Sequence, residues 1–178
     1  MAGAVFRVAT TPQILLMVSK VYIPVLFPLT FLIALASLAL DRALDIPTFL
    51  PEPANLAIAA VSLLAGLLVV GVSYAELVTK GEGSPSPTAG RTLKLVRSGI
   101  YAWCRNPSVH GKLLGVLSVG IALNSFSFCC ILIPLLLAGS LVEKVVRQEP
   151  QLVAIFGDEY ESYRRDVPLF IPWKILRR

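Results

Sequence analysis

The stretch LLGVLSVGIALNSFSFCCILIPLLLAGSLV, Leu113–Val142, decides the fold, because it carries no charged side chain and is too long for one crossing. A single α-helix over it would be about 45 Å long at 1.5 Å rise per residue. The hydrocarbon layer of a bilayer is only ~30 Å thick. Polar residues interrupt the run at its middle, Asn124-Ser125-Phe126-Ser127. The pattern predicts a helical hairpin over 113–142 with its turn at that break. Each arm alone is short, so the arms tilt or extend into the flanking polar segments.

Two further uncharged runs precede it, Val21–Leu40 and Pro53–Ala75. Each is long enough to cross, since a spanning helix needs roughly 20 apolar residues. Composition agrees. The 178 residues are 56% hydrophobic and 15% charged, with a mean hydropathy of +0.75. Soluble domains usually carry about 25% charged residues. Residues 1–20 lack a compact apolar segment with a small-residue cleavage site, so no signal peptide is expected there. The expected architecture is one all-α integral membrane domain over 1–178. Two leading transmembrane helices occupy 1–77, and a core containing the hairpin occupies 78–178.

Charge distribution sets the topology. Lys80, Arg91, Lys94, Arg97, Arg105 and Lys112 lie between the second and third runs. Lys144, Arg147, Arg164, Arg165, Lys174, Arg177 and Arg178 follow the third. The first loop instead carries Asp41, Arg42, Asp45 and Glu52. Cytoplasmic loops are enriched in Lys and Arg, which puts the N-terminus, the 78–112 loop and the C-terminus inside. That parity needs an even number of crossings after residue 112, in accord with a hairpin. The net charge of +5 is therefore a topology signal rather than a nucleic-acid footprint, and anionic lipid headgroups are the expected electrostatic partner. Cys104, Cys129, Cys130 and the single histidine, His110, have no metal-ligand spacing, so no metal is expected.

The polar chemistry sits in two cassettes on either side of the third run. The first is Ser98-Gly99-Ile100-Tyr101-Ala102-Trp103-Cys104-Arg105-Asn106-Pro107-Ser108. Pro107 disfavours helix at the residue before it, which places Asn106 at a helix N-cap with Pro107 at the first helical position. The second runs from Lys144 through Arg147-Gln148-Glu149-Pro150 to Phe156-Gly157-Asp158-Glu159-Tyr160. Lys144 and Gln148, four apart, share a helix face. Charges at the edge of a membrane helix also serve as snorkelling anchors. Gly81–Gly90 reads as an irregular loop and Thr92–Ser98 as a short amphipathic segment. Gln151–Tyr163 reads as a helix with Leu152, Ile155, Phe156 and Tyr160 on one face. Trp173 suits an interfacial anchor.

The first cassette, through Gly99, Tyr101, Arg105, Asn106, Pro107 and Gly111, resembles the signature of the isoprenylcysteine carboxyl methyltransferase family. The second resembles the same family through Gln148, Glu149, Leu152, Phe156, Gly157, Glu159, Tyr160, Tyr163, Val167 and Pro168. The likeness covers roughly 78–173. Asn106 replaces the commoner His, His110 stands where Tyr is usual, Gln148 where the family has Glu, and Lys144 where it has Arg.

The resemblance implies an S-adenosylmethionine pocket at the cytoplasmic ends of the helices, closed by a C-terminal cytoplasmic helix. It implies that a strand-like run of Leu93, Lys94, Leu95 and Val96, with Tyr101, Asn106, Gln148 and Glu149, contacts the cofactor. It implies that Arg105, Lys144 and Arg147 hold the substrate's polar head, and that Arg105, Arg147 and Glu149 serve catalysis. The implied reaction is methyl transfer to a lipid-like acceptor, an isoprenylcysteine-type carboxylate in the first place. Other readings are a phospholipid or small-amphiphile methyltransferase, an NADPH-dependent membrane reductase, and a non-catalytic protein of the same fold. The expected location is a bacterial inner membrane or the endoplasmic reticulum, with the site facing the cytoplasm.

Overall fold

A computed structural model of the chain describes residues 27–82 and 94–171. All its regular elements are helical. Helix α1 spans Phe27–Ala43, α2 Ala54–Gly81 and α3 Pro107–Ala122. A continuous helix, α4, spans Phe128–Phe156, and α5 spans Asp158–Asp166. A 3₁₀ turn at Gly99–Ala102 leads into α3.

Helices α2 and α4, at 28 and 29 residues, are each long and apolar enough to cross a membrane. Their large apolar side chains, among them Leu64, Leu67 and Leu68 on α2 and Leu135 and Val142 on α4, point outward rather than into a core. An all-round apolar helix with exposed Leu and Val is at home in lipid, so the chain is a membrane protein.

The main packing is antiparallel, α2 against α3, and small and polar residues organise it. Asn55 Nδ2 donates to the Ala122 carbonyl at 3.2 Å, and Ser62 Oγ donates to the Leu114 carbonyl at 2.9 Å. Between these and the site, the backbones nearly touch. A Cβ added to Gly111 would lie 2.6 Å from the Gly66 carbonyl oxygen and 2.9 Å from the Val70 nitrogen. Without a hydrophobic drive between helices in lipid, such close approach supplies dispersion contact that larger residues would prevent.

The turn between α3 and α4 is built from local chemistry. Asn124 adopts a left-handed φ of 52°. Its N–H bonds the Ile121 carbonyl, and Ser125 N–H bonds Gly120, both at 3.0 Å. This paired bonding past a left-handed residue closes a helix. Ser125 Oγ then accepts from Phe128 N–H at 3.2 Å, capping α4. Asp41 at the end of α1 adds its carboxylate, accepting from Ser125 Oγ and from Ser127 N–H at 3.0 Å. An anion at a helix start is stabilised by the unpaired amides and the helix dipole. The Asn124 side chain clamps the backbone at Phe49 and Leu50 from the other side.

As expected of short arms, the two helices extend beyond 113–142 into the flanking polar segments: α3 begins at Pro107 and α4 runs on to Phe156, so both polar cassettes lie on or directly beside the long helices. Other stretches differ from the sequence reading. The strand-like reading of 93–96 is not met by a strand. Leu93 lies outside the described residues, and Lys94 to Arg97 run without regular structure. The segment expected to be amphipathic, Thr92–Ser98, has no regular structure over its described part, 94–98. The helix expected over Gln151–Tyr163 is broken at Gly157, whose φ of 53° and ψ of −131° no side chain tolerates well. Ile155 faces outward, while Leu152, Phe156 and Tyr160 pack with Tyr163, Val167 and Leu95. Trp173 and most of the 81–90 loop lie outside the described residues.

Replacing Gly111 with Ala should destabilise the fold by about 1–3 kcal/mol, because the obstacle is backbone that cannot move aside. Gly115→Ala, four residues on with nothing within 4 Å of the new methyl, should be neutral or slightly stabilising. Thermal unfolding of the two variants in detergent measures the difference.

Candidate functional site

The two cassettes meet at one end of the bundle. Gly99 makes the approach possible. Its φ is +63°, and a Cβ there would collide with the Glu76 carboxylate of α2. That carboxylate accepts from Ile100 N–H at 3.2 Å and pairs with Lys80 at 3.0 Å. The 3₁₀ turn so anchored buries Tyr101, whose hydroxyl donates to the Ser73 carbonyl at 3.3 Å. The Tyr101 carbonyl in turn accepts from the Tyr163 hydroxyl of α5 at 2.6 Å. Tyr101 therefore ties α2 to α5 through its two ends.

Beyond Tyr101 the chain stretches to α3. Arg105 N–H bonds the Pro168 carbonyl at 2.9 Å, and Asn106 Nδ2 donates to the Leu169 carbonyl at 3.4 Å. His110 stacks on Phe170 with centroids 3.8 Å apart. Asn106 does occupy the N-cap position before Pro107, but its side chain makes no cap bond. The 167–170 segment takes that side chain instead.

The centre of the site is an ion pair between Arg105, before α3, and Glu149, near the inner end of α4. Both side chains are about nine-tenths buried, at 10% and 11% exposure. Arg105 also reaches the Tyr160 hydroxyl at 3.4 Å. Arg164 approaches the second Glu149 oxygen at 3.7 Å. The buried Nε of Arg105 has no partner. A buried donor left unmade costs about 1–3 kcal/mol, so this N–H is free to meet a ligand's acceptor.

These groups line a cavity of about 80 Å³ that opens into a wider cleft. Its walls are Leu77, Leu95, Val96, Tyr101, Arg105, Asn106, Lys144, Gln148, Glu149, Leu152, Tyr160 and Tyr163. Lys144 contributes a second cation, paired with the neighbouring Glu143 at 2.9 Å. Of the residues singled out in the sequence, Leu95, Val96, Tyr101, Arg105, Asn106, Lys144, Gln148 and Glu149 thus come together. Two do not. Lys94 is exposed and pairs with Glu82, and Arg147 points outward, away from the cavity. Both placements have one cause: a neighbour in sequence on a turning backbone points elsewhere. Leu77, Leu152, Tyr160 and Tyr163 were missed as site residues. The last three stand in the second motif, and their apolar spacing toward the membrane edge was the available signal.

Burial pushes the phenol groups of Tyr101 and Tyr163 well above their usual value near 10, and it raises Tyr160 and the Cys104 thiol as well. All four stay neutral at physiological pH, so the charged chemistry of the cavity belongs to Arg105, Lys144 and Glu149.

The model of the family described as phospholipid methyltransferase matches residues 54–159. A protein-S-isoprenylcysteine O-methyltransferase of Schizosaccharomyces pombe is 38% identical over 78 residues, covering 44% of this chain and 33% of that protein. The mouse protein of the same name is 32% identical over 82 residues, 46% of this chain and 29% of its own length. The nickel-cobalt-cadmium resistance protein NccN of Alcaligenes xylosoxydans is 29% identical over 110 residues, 61% of this chain and 51% of that protein. The match therefore spans about a third of the two isoprenylcysteine methyltransferases. No solved structure matches.

Tyr163→Phe, which strands the buried Tyr101 carbonyl, should cost about 1–3 kcal/mol. The raised phenol values also fix a pH dependence. Their stabilising effect is complete below the unfolded value near 10 and is lost above it, as unfolded tyrosines ionise while buried ones resist. Stability should hold from pH 7 to 9 and fall beyond 10, with a shallower fall in Tyr163→Phe. Denaturation midpoints across pH test both statements.

Proposed function

Because the chain belongs to the phospholipid methyltransferase family, we propose that it is a multi-pass membrane methyltransferase. It uses S-adenosylmethionine to methylate the carboxylate of a lipid-like acceptor of the isoprenylcysteine type. The observation that carries this reading is the cavity in which Arg105, Lys144 and Glu149 converge with amides, phenols and apolar walls.

The donor set fits the cofactor. Glu149 is the cavity's anion and suits an ammonium. Gln148 and Asn106 offer amides to polar edges. Leu77, Leu95, Val96 and Leu152 offer apolar surface to an adenine ring. The cavity admits only part of such a molecule, and the rest would lie in the cleft. When bound, the cofactor supplies an electrophilic methyl group. The protein's own contribution is alignment and exclusion of water. Arg105 and Lys144 would hold the acceptor's anionic head, with Arg105 Nε as an available donor.

The hairpin arms α3 and α4 then double back through the bilayer, which puts the site at the cytoplasmic leaflet by the charge rule. A soluble cofactor reaches it from the cytosol, and the acceptor's tail stays in lipid. The acceptor chemistry follows from Glu149. Its carboxylate is engaged by Arg105 and approached by Arg164. Both of its oxygens are turned to guanidinium groups rather than toward an acceptor's proton. A carboxylate acceptor needs no base, whereas a protonated amine does. A phospholipid amine is the second reading, favoured by the family's description. It would need another group to remove the proton.

Purified protein in detergent should bind S-adenosylmethionine in calorimetric titration, and absence of binding overturns the proposal. Glu149→Gln, which keeps shape and removes charge, should weaken binding about tenfold or more. Arg105→Ala should lower turnover of a prenylcysteine substrate by about thirtyfold or more, since it leaves Glu149 buried and unpaired.

A further inference from the structure

Helix α4 is not α-helical throughout. It contains two wide π-type turns, Phe128–Leu132 and Lys144–Gln148. In the second, Glu149 N–H donates to the Lys144 carbonyl, five residues back instead of four. Each turn stops two residues short of a proline, Pro134 and Pro150. A proline inside a helix has no N–H to donate and clashes with the carbonyl four residues before it. Opening the preceding turn by one residue relieves that clash. Both prolines are exposed, so neither acts by filling space in the core.

The inner turn lies where the site takes its α4 residues, and π turns recur at functional sites. In a regular α-helix, at about 100° per residue, Glu149 would point roughly 140° away from Lys144. With the wide turn between them, the separation falls to roughly 50°. Lys144, Gln148, Glu149 and Leu152 all line the cavity. The extra residue puts Glu149 on the face that meets Arg105. The residue left over by this widening is turned out of the way: Val146 is 66% exposed.

We propose that Pro150 is a positioning residue: by holding the Lys144–Gln148 turn open, it rotates Glu149 onto the cavity face. Pro150 touches no reacting group and acts only through the backbone ahead of it. The consequence for cofactor affinity rests on the function proposed above, but the rotation itself does not.

The rotation is read by cross-linking. In a background with Cys104, Cys129 and Cys130 changed to Ala, Arg105→Cys and Glu149→Cys are joined by a short bis-maleimide. Adding Pro150→Ala lets the turn close to α-helix, and the yield should fall at least fivefold. Deleting Val146 in that Pro150→Ala chain removes the surplus residue. It leaves the glutamate position four residues after Lys144 in an α-helix, about 40° away, and the yield should recover to within twofold of the parent. A purely structural role for Pro150 predicts no rescue by a deletion. Pro134→Ala, about 24 Å away along the same helix, is the control and should leave the yield unchanged.

Unchanged yield in Pro150→Ala, or a deletion that does not raise it, overturns the proposal. If Pro150→Ala alone does not fold, recovery in the deletion variant supports the proposal, and a deletion variant without the cross-link overturns it. S-adenosylmethionine titration is run alongside, with all native cysteines and site residues in place. Pro150→Ala should bind at least tenfold more weakly than the parent, and Pro134→Ala within twofold. A parent that cross-links but does not bind the cofactor contradicts the proposed function and leaves the positioning role supported.

Discussion

The Arg105–Glu149 ion pair is the contact on which the arrangement of the site depends. It joins the residue that leads into α3 to a residue near the far end of α4, so it requires the intervening chain to return to its starting level. Two charges taken from water are expensive to bury, and breaking such a pair costs far more than the pair itself contributes. The surrounding bonds fit that cost. Tyr160 and Arg164 attend the pair, and the 167–169 backbone fixes Arg105 and Asn106. The pair can form only where the two cassettes meet, and this is what turns two separate polar segments into one cavity.

The scaffold beneath the pair follows the rules of packing in lipid. The α2–α3 contact uses Gly66 and Gly111 to bring backbones together and Ser62 and Asn55 to bond across. Tyr101 inherits that alignment. Its hydroxyl reaches the Ser73 carbonyl, three residues beyond Val70 on α2, because the helices below are already in register. Site and scaffold are therefore continuous: a shift of α3 along α2 would move Tyr101 and Arg105 together.

Much of this was legible in the residues. Uncharged runs gave the helices, Asn124 and Ser125 marked the turn, and Pro107 marked the start of α3 to the residue. The expected site residues include eight of the cavity's twelve lining residues, six of them in the two cassettes. What was not legible has physical reasons. Lys94 and Arg147 look like their neighbours in composition, and only the path of the backbone decides that they face outward. The wide turn at Lys144–Gln148 changes which residues share a face, and a fixed helical period cannot register that. Pro150 was visible, but its effect on Glu149 depends on a hydrogen bond that skips one residue more than usual. Tyr163 was a motif position whose role emerges only from its bond to a backbone carbonyl 62 residues earlier.

The Asp41 contact at the opposite end of the bundle carries a consequence for biosynthesis. Asp41 and Ser125 are 84 residues apart, so α1 leaves the ribosome long before the loop it binds has been made. Until then its carboxylate has no amides to neutralise it and stays hydrated. Docking of α1 through this contact is thereby deferred until the turn between α3 and α4 has been made.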